Sequence, residues 1–256
     1  MQTDDRATPW LVRYRASPRT RLRLFCFPYA GGAAQVFRLW PQSLPDFIEV
    51  CAVQPPGRGS RLREEPFTRL DALVEAAMPA LIPFMDVTFA FYGHSMGAMI
   101  AFEAARRLRC MGVDGPAHLF VGACRAPRLA SEREITYDLP EPEFIEELRR
   151  RGGTPTEVLG HEELLHLLLP LLRADFAVIE TYSYAEGPPL DCPLTAFGGL
   201  EDEGGRARAW PRGRSTRLDS SRCTCCRVTT SSSAPPNRCS KASRGHSGAW
   251  PPASHE

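Results

Sequence analysis

The sequence predicts an α/β fold, a mostly parallel β-sheet with helices on both faces and a helical insertion. Three observations predict it. Short apolar runs alternate with helix-spaced segments through the first half of the chain. A Gly-x-Ser-x-Gly turn at residues 93–97 joins one such run to a helix-spaced segment. From residue 131 to 180 the pattern changes to helices alone, and then a last apolar run returns.

The elements follow in order. Leu22–Phe27 (LRLFCF) is a strand ending in the glycine-rich turn Pro28-Tyr29-Ala30-Gly31-Gly32. Residues 36–44 have helical spacing and stop at Pro45. Ile48–Val53 is the next strand and runs into the loop Pro55-Pro56-Gly57-Arg58-Gly59. Leu70, Leu73, Val74, Ala77 and Met78 recur at helix spacing, with Asp71 and Glu75 on the other face. Residues 88–92 are a strand, 98–108 an alanine-rich helix, and 118–122 a fourth strand. Residues 142–150, 162–172 and 174–182 read as three helices. Helices inserted between two strands of such a sheet form a lid over the site, here about residues 131–182. Residues 194–197 return to the sheet, and Gly198-Gly199-Leu200-Glu201-Asp202 closes that strand.

The chain has 256 residues, enough for one such domain with a sizeable core. A net charge of +1 gives no reason to expect a nucleic-acid or membrane partner. No apolar run approaches the roughly 20 residues of a spanning helix. Residues 1–9 are polar and lack the apolar stretch of a signal peptide, so the expected compartment is the cytoplasm. Of nine cysteines, Cys26, Cys51, Cys110, Cys124 and Cys192 sit among apolar neighbours and read as small buried hydrophobes. The other four, Cys223, Cys225, Cys226 and Cys239, crowd into the last part of the chain. Lys241 is the only lysine, a bias that points to GC-rich coding DNA.

After Glu203 the composition turns to Arg, Ser, Pro, Gly, Thr and Cys, with neither helix period nor strand alternation. Such a segment cannot bury enough apolar surface to offset the entropy of ordering. Residues 204–256 are therefore expected to be an aberrant, disordered tail.

The chemistry centres on Ser95. In Gly93-His94-Ser95-Met96-Gly97 the glycines permit a strained turn, with neighbouring side chains kept clear of strand and helix. The helix behind the serine points its N-terminal N–H groups and its dipole at the site, favouring developing negative charge. Met96 N–H would be one oxyanion donor, and Ala30 N–H, after the first core strand, the second. A serine in an ordinary strand-to-helix turn is the bland alternative, which the matching context on both sides disfavours. The acid of a triad must follow the nucleophile, and the histidine must follow the acid. Asp202, at the carboxyl edge where such sheets bind ligands, is the candidate acid; its bland alternative is a solvated turn aspartate. Glu201 and Asp191 are lesser candidates. No general base can be identified. His94 lies within the elbow, and His118 opens a core strand. His161 and His166 are spaced by five rather than as a zinc-binding i, i+4 pair. Only His246 and His255 follow Asp202, both in the tail. The late cysteines lack Cys-x-x-Cys spacing, so no metal site is expected.

The runs FPYAGGAA, QPPGRGSR, FYGHSMGA, LPLLRADF, ETYSY and PLDCPLTAFGG resemble the type II, or editing, thioesterases of nonribosomal peptide and polyketide synthesis. The resemblance covers about residues 10–203. It implies a stand-alone α/β-hydrolase that removes wrong or stalled acyl groups from the phosphopantetheine arm of acyl or peptidyl carrier proteins. In that family Ser95 would be the nucleophile, Asp202 the acid, and Ala30 and Met96 the oxyanion hole. No cofactor is implied beyond the substrate's own arm, and a monomer is expected. The same serine site would also suit a carrier-binding module without turnover, or acyl transfer to an acceptor other than water.

The family continues after the acid with a helix, a strand and a Gly-Asp-His-Phe motif whose histidine is the base. Here the last strand and helix are missing. A shifted frame accommodates them. With suitable third bases, the codons of residues 223–233, read from their third base, spell His-Val-Leu-Pro-Gly-Asp-His-Phe-Phe. Two bases of each shifted codon are fixed by the protein, and the missing histidine would span the codons of Thr229 and Thr230. The expectation is that the sequence after about Glu203 arises from a frameshift, and that this chain keeps the site but hydrolyses poorly.

Overall fold

The computed structural model describes residues 7–127 and 134–198, together with the backbone strand at Thr224–Cys225. Seven strands form one sheet: β1 (Leu11–Tyr14), β2 (Leu22–Phe27), β3 (Ile48–Val53), β4 (Phe89–His94), β5 (Leu119–Gly122), β6 (Leu194–Gly198) and β7 (Thr224–Cys225). Their order is β1-β3-β2-β4-β5-β6-β7. All neighbours are parallel except β1, which runs antiparallel to β3. The sheet is thus mostly parallel, as the apolar runs predict. β1 carries no such signal because each of its residues is only half-buried.

Alternation along the strands divides the core. Phe25, Phe27 and Phe91 face α1 (Leu70–Leu81) and α2 (Met96–Cys110), with Phe27 and Phe91 edge to face at 5.3 Å. Leu24, Cys26, Val50 and Ala52 face the other way, onto Ala34 and Phe37. The cover there is not the helix expected at residues 36–44. It is two 3-10 turns, Ala34–Phe37 and Trp40–Gln42. Pro41 has no N–H to continue an α-helix. The i, i+3 spacing of Phe37 and Trp40 suits the tighter turn, their rings meeting at 5.1 Å with Tyr92 beneath Trp40 at 4.7 Å.

Between β5 and β6 lie α3 (Glu141–Arg151), the short α4 (Thr156–Leu159) and α5 (Glu162–Glu180). The two helices expected at 162–172 and 174–182 are one. Pro170 sits inside α5 without ending it, because Leu165, Leu169, Leu172 and Phe176 form one stripe packed on Phe144 and Leu148 of α3. The buried Glu180 carboxylate accepts bonds from Thr136 N (2.7 Å), Thr136 Oγ1 (2.6 Å) and Tyr137 N (3.0 Å), tying the approach to α3 onto the end of α5.

The expectation that no strand follows β6 is corrected. β7 adds parallel to β6, with Phe197 opposite Thr224 and Gly198 opposite Cys225. The edge of β6 presents unpaired N–H and C=O groups, a template that even two extended residues can use. The remainder of 204–256, expected to lack order, lies outside the described residues. Among the described residues no helix is long and apolar enough to cross a membrane.

The cysteines do not form one class. Cys26 and Cys51 are fully buried, but Cys110 is exposed at the end of α2, against expectation, because it falls on that helix's outer face. Burial pushes the Cys51 thiol up to about 12 and raises Cys26 as well. Alkylation of the native protein at neutral pH should therefore modify Cys110 and spare Cys26 and Cys51. Peptide mass mapping checks this, and early labelling of Cys51 would contradict it.

Candidate active site

β4 ends at His94 and α2 begins at Met96, so the reversal from strand to helix falls on Ser95 alone. Its backbone has φ 54° and ψ −115°, a costly region for a residue with a side chain. The surroundings over-determine it. Ser95 N donates to Gly122 O at the end of β5 (2.8 Å), and Ser95 O accepts from Ala98 N (3.0 Å). A Cβ on Gly93 would lie 2.1 Å from Gly97 O, and one on Gly97 would lie 2.0 Å from Phe27 O and 2.7 Å from Pro28 O. Backbone meets backbone at both glycines, which is why the motif needs them. Met96 is the first residue of α2, so its N–H belongs to the unpaired amino end of that helix.

The contact of Gly97 with Phe27 and Pro28 places the loop after β2 against the elbow. Ala30 in this loop is partly buried and packs against both the sheet core and the α3–α5 cluster. The next residue, Gly31, has φ 75°, and its N–H donates to Asp175 Oδ2 of α5 (2.7 Å). Arg58, from the loop after β3, donates from Nη1 to Asp175 Oδ2 (2.8 Å) and from Nη2 to Oδ1 (2.7 Å). Arg58 Nη1 also reaches Gly32 O at 3.2 Å. Both charged side chains are almost fully buried, 4 % and 2 % exposed. Gln54 completes the set: Nε2 donates to Arg58 O (2.7 Å) and Oε1 accepts from Ala34 N (3.0 Å). Removing one charge of such a pair typically costs about 3–5 kcal/mol, because the other is left buried and alone. Nothing in the sequence pairs Arg58 with Asp175. The available signal was an aspartate on the apolar stripe of a leucine-rich helix, and an arginine inside a Pro-Gly loop.

The histidines are placed as follows. His94 turns its ring edge toward Tyr29, with centroids 5.9 Å apart. His118 precedes β5 and bonds Thr195 Oγ1 through Nε2 (2.8 Å), and burial lowers its pKa. A strand rises about 3.3 Å per residue, so His118 stands roughly 13 Å from the Gly122 end that touches Ser95. His161 caps α5 and His166 lies 3.3 Å from Glu141, both exposed and near the end of α5 opposite Asp175. Asp191 precedes β6 at the amino edge of the sheet, away from Ser95. Asp202 and Glu201 lie outside the described residues, as do His246 and His255. Among the described residues no cluster of three or more His, Cys, Asp or Glu is arranged to hold a metal ion. The arrangement therefore offers a serine hydroxyl on a strained turn, a helix amino end behind it, and an adjoining loop held by a buried ion pair.

Comparison with known proteins adds a family, two relatives and two solved structures. A family model described as "Thioesterase domain" matches residues 22–237. Gramicidin S biosynthesis protein GrsT of Aneurinibacillus migulanus is 45% identical over 195 residues, 76% of this chain and 76% of that protein. Thioesterase PikA5 of Streptomyces venezuelae is 38% identical over 194 residues, 75% of this chain and 69% of that protein. The RedJ thioesterase of the prodiginine biosynthetic pathway in Streptomyces coelicolor superimposes with a TM-score of 0.69 at 42% identity, covering 74% of this chain and 71% of that one. The type II thioesterase BorB from the borrelidin biosynthetic cluster does so with a TM-score of 0.72 at 35% identity, covering 79% and 82%.

Proposed function

The chain belongs to the thioesterase family, and from that membership we propose that it acts on acyl thioesters held on the phosphopantetheine arm of carrier proteins in nonribosomal peptide or polyketide synthesis. The observation that carries this reading is the backbone of Ser95. A strained positive φ, held from three sides, presents one hydroxyl at the carboxyl edge of the sheet.

In this reading Ser95 Oγ attacks the thioester carbonyl carbon. The carbonyl oxygen becomes an oxyanion, received by the N–H groups of Met96 and Ala30. Collapse breaks the C–S bond, the pantetheine sulfur leaves as a thiol after taking up, by way of solvent, the proton given up by Ser95 Oγ, and the acyl group remains on Ser95 as an ester. Water then attacks that ester through a second tetrahedral state in the same hole, the acyl C–Oγ bond breaks, the carboxylic acid departs, and a proton from the water returns to Ser95 Oγ. Preorganised donors are worth about 10²–10³ in rate for each one removed. Asp202 is assigned the role of orienting a histidine base. No described histidine stands in that role beside Ser95, so both steps run slowly in this chain. The protein needs no cofactor of its own and works as a monomer.

A second reading is carrier binding without turnover, favoured by the placement of His118, His161 and His166 away from the serine. Acyl transfer to an alcohol or amine acceptor would use the same serine and differ only in product. Incubation with an acylated carrier protein, followed by mass spectrometry, separates these. The expected result is slow acyl-Ser95 formation and slow hydrolysis, both abolished by Ser95→Ala. Turnover that survives Ser95→Ala would overturn the serine reading.

A further inference from the structure

Arg58 and Asp175 are 117 residues apart in the chain and meet in a bidentate, buried pair. Neither side chain belongs to the elbow. What the pair grips is informative. Asp175 Oδ2 accepts the Gly31 N–H, and Arg58 Nη1 donates to Gly32 O. These peptide groups directly follow Ala30, whose N–H faces the reacting oxygen in the reading above. Gly31 sits at φ 75°, and a Cβ there would come within 2.8 Å of Leu172 Cδ2. On the other side, Gly57 leaves only 3.3 Å between an added Cβ and Leu171 Cδ1. The second half of α5 therefore presses on both loops, and one carboxylate fastens it to each.

We infer that Asp175, clamped by Arg58, is the positioning residue of the oxyanion hole. It fixes the Ala30–Gly31 peptide, and the bond from Gly32 N to Tyr29 O (2.9 Å) carries that constraint to the Tyr29–Ala30 peptide, so that Ala30 N–H points at the oxygen that gains charge. The consequence is a coupling between α5 and chemistry: any displacement of this helix breaks the Gly31 bond and spoils the hole. This inference rests on the assignment of Ser95 and Ala30 above.

The test uses an alkylboronic acid in mildly alkaline buffer. Ser95 Oγ adds to the trigonal boron and its proton passes to the buffer. The product is a tetrahedral boronate carrying one oxygen in the hole. An S-alkyl pantetheine thioether, which has no carbonyl, reports binding that does not involve the hole. Asp175→Ala is expected to weaken boronate binding by about tenfold or more, since one oxyanion donor is worth about 10²–10³, and to leave thioether binding unchanged. Because that variant strands Arg58, the double variant Arg58→Met with Asp175→Leu is the decisive one. Its buried charges are both gone, so its melting temperature is expected to recover toward that of the native chain. Its boronate affinity is expected to stay low, because Gly31 N–H still lacks an acceptor. Asp175→Asn, which keeps one carbonyl oxygen there, is expected to bind boronate most nearly as the native chain does. Boronate affinity that rises and falls with melting temperature across the three variants would overturn the proposal and leave the pair purely structural. Native protein that takes up no boronate, or a Ser95→Ala variant that takes it up equally, would overturn the serine reading and this proposal with it.

Discussion

A gene in which the shifted frame is restored upstream of codon 223 is expected to encode a protein that hydrolyses acyl thioesters up to about 10⁶-fold faster than the present chain, the usual cost of a missing triad histidine. The topology makes the expectation specific. β7 lies parallel to β6, so the chain leaving Cys225 emerges at the carboxyl edge of the sheet, the edge that carries Ser95. In the shifted reading the codons around Thr224 and Cys225 specify His-Val-Leu, a strand sequence. The histidine spanning the codons of Thr229 and Thr230 then follows just beyond that strand. A base arriving there would have the serine on the same edge, and Asp202, which comes after β6 in the sequence, is the acid proposed to orient it. The measurement is steady-state release of acid from an acylated carrier protein. A restored chain no faster than the present one would sink the frameshift account of the missing base.

Gly97→Ala is expected to have the largest effect on the fold itself. The new Cβ would stand 2.0 Å from Phe27 O and 2.7 Å from Pro28 O, both backbone atoms with nowhere to move. Relief requires separating α2 from β2 across the centre of the sheet. A destabilisation above about 4 kcal/mol follows from such overpacking, against a typical total of about 5–15 kcal/mol. Gly93→Ala meets Gly97 O at 2.1 Å and should behave the same way. By contrast, Gly112→Ala has nothing within 4 Å to strike, and only its φ of 67° opposes it. The expected outcome is loss of soluble, cooperatively melting protein for the two elbow variants and a small change in melting temperature for Gly112→Ala. A Gly97→Ala protein melting like the native one would contradict the packing account.

What was legible in the sequence follows from the range of each signal. β2, β3 and β4 are buried on both faces, so they read as mainly apolar runs such as LRLFCF, interrupted in β2 by Arg23 and in β3 by Glu49, which pair with each other in the interior. The elbow is equally local, since its glycines and its serine are neighbours. β1 escaped because a half-buried edge strand gives neither a run nor a clean alternation. The turns at 34–42 carry apolar spacing compatible with a helix, and only Pro41 and the packing of Trp40 on Tyr92 decide against it. The join within α5 was missed for the opposite reason: Pro170 suggests a break that the leucine stripe overrides. The Arg58–Asp175 pair is the least legible feature, because nothing in either local segment specifies a partner 117 residues away. Of the candidate site, the strained turn at Ser95 and the helix behind it are legible in the sequence, while the contacts that hold the neighbouring loop are not.

The way the elbow is closed also has a meaning in the order of synthesis. Among the described residues, the groups that hold the Ser95 turn come from the stretch between Phe27 and Gly122. Gly97 rests on Phe27 and Pro28, and Ser95 N–H is received by Gly122. A ribosome has delivered all of these before it reaches α3, and long before codon 203. The strained turn can therefore be set by the nascent sheet alone, ahead of the helices that roof it. A reading-frame change late in the gene would then leave the strained serine turn as it was assembled, and alter only the parts that translation adds afterward.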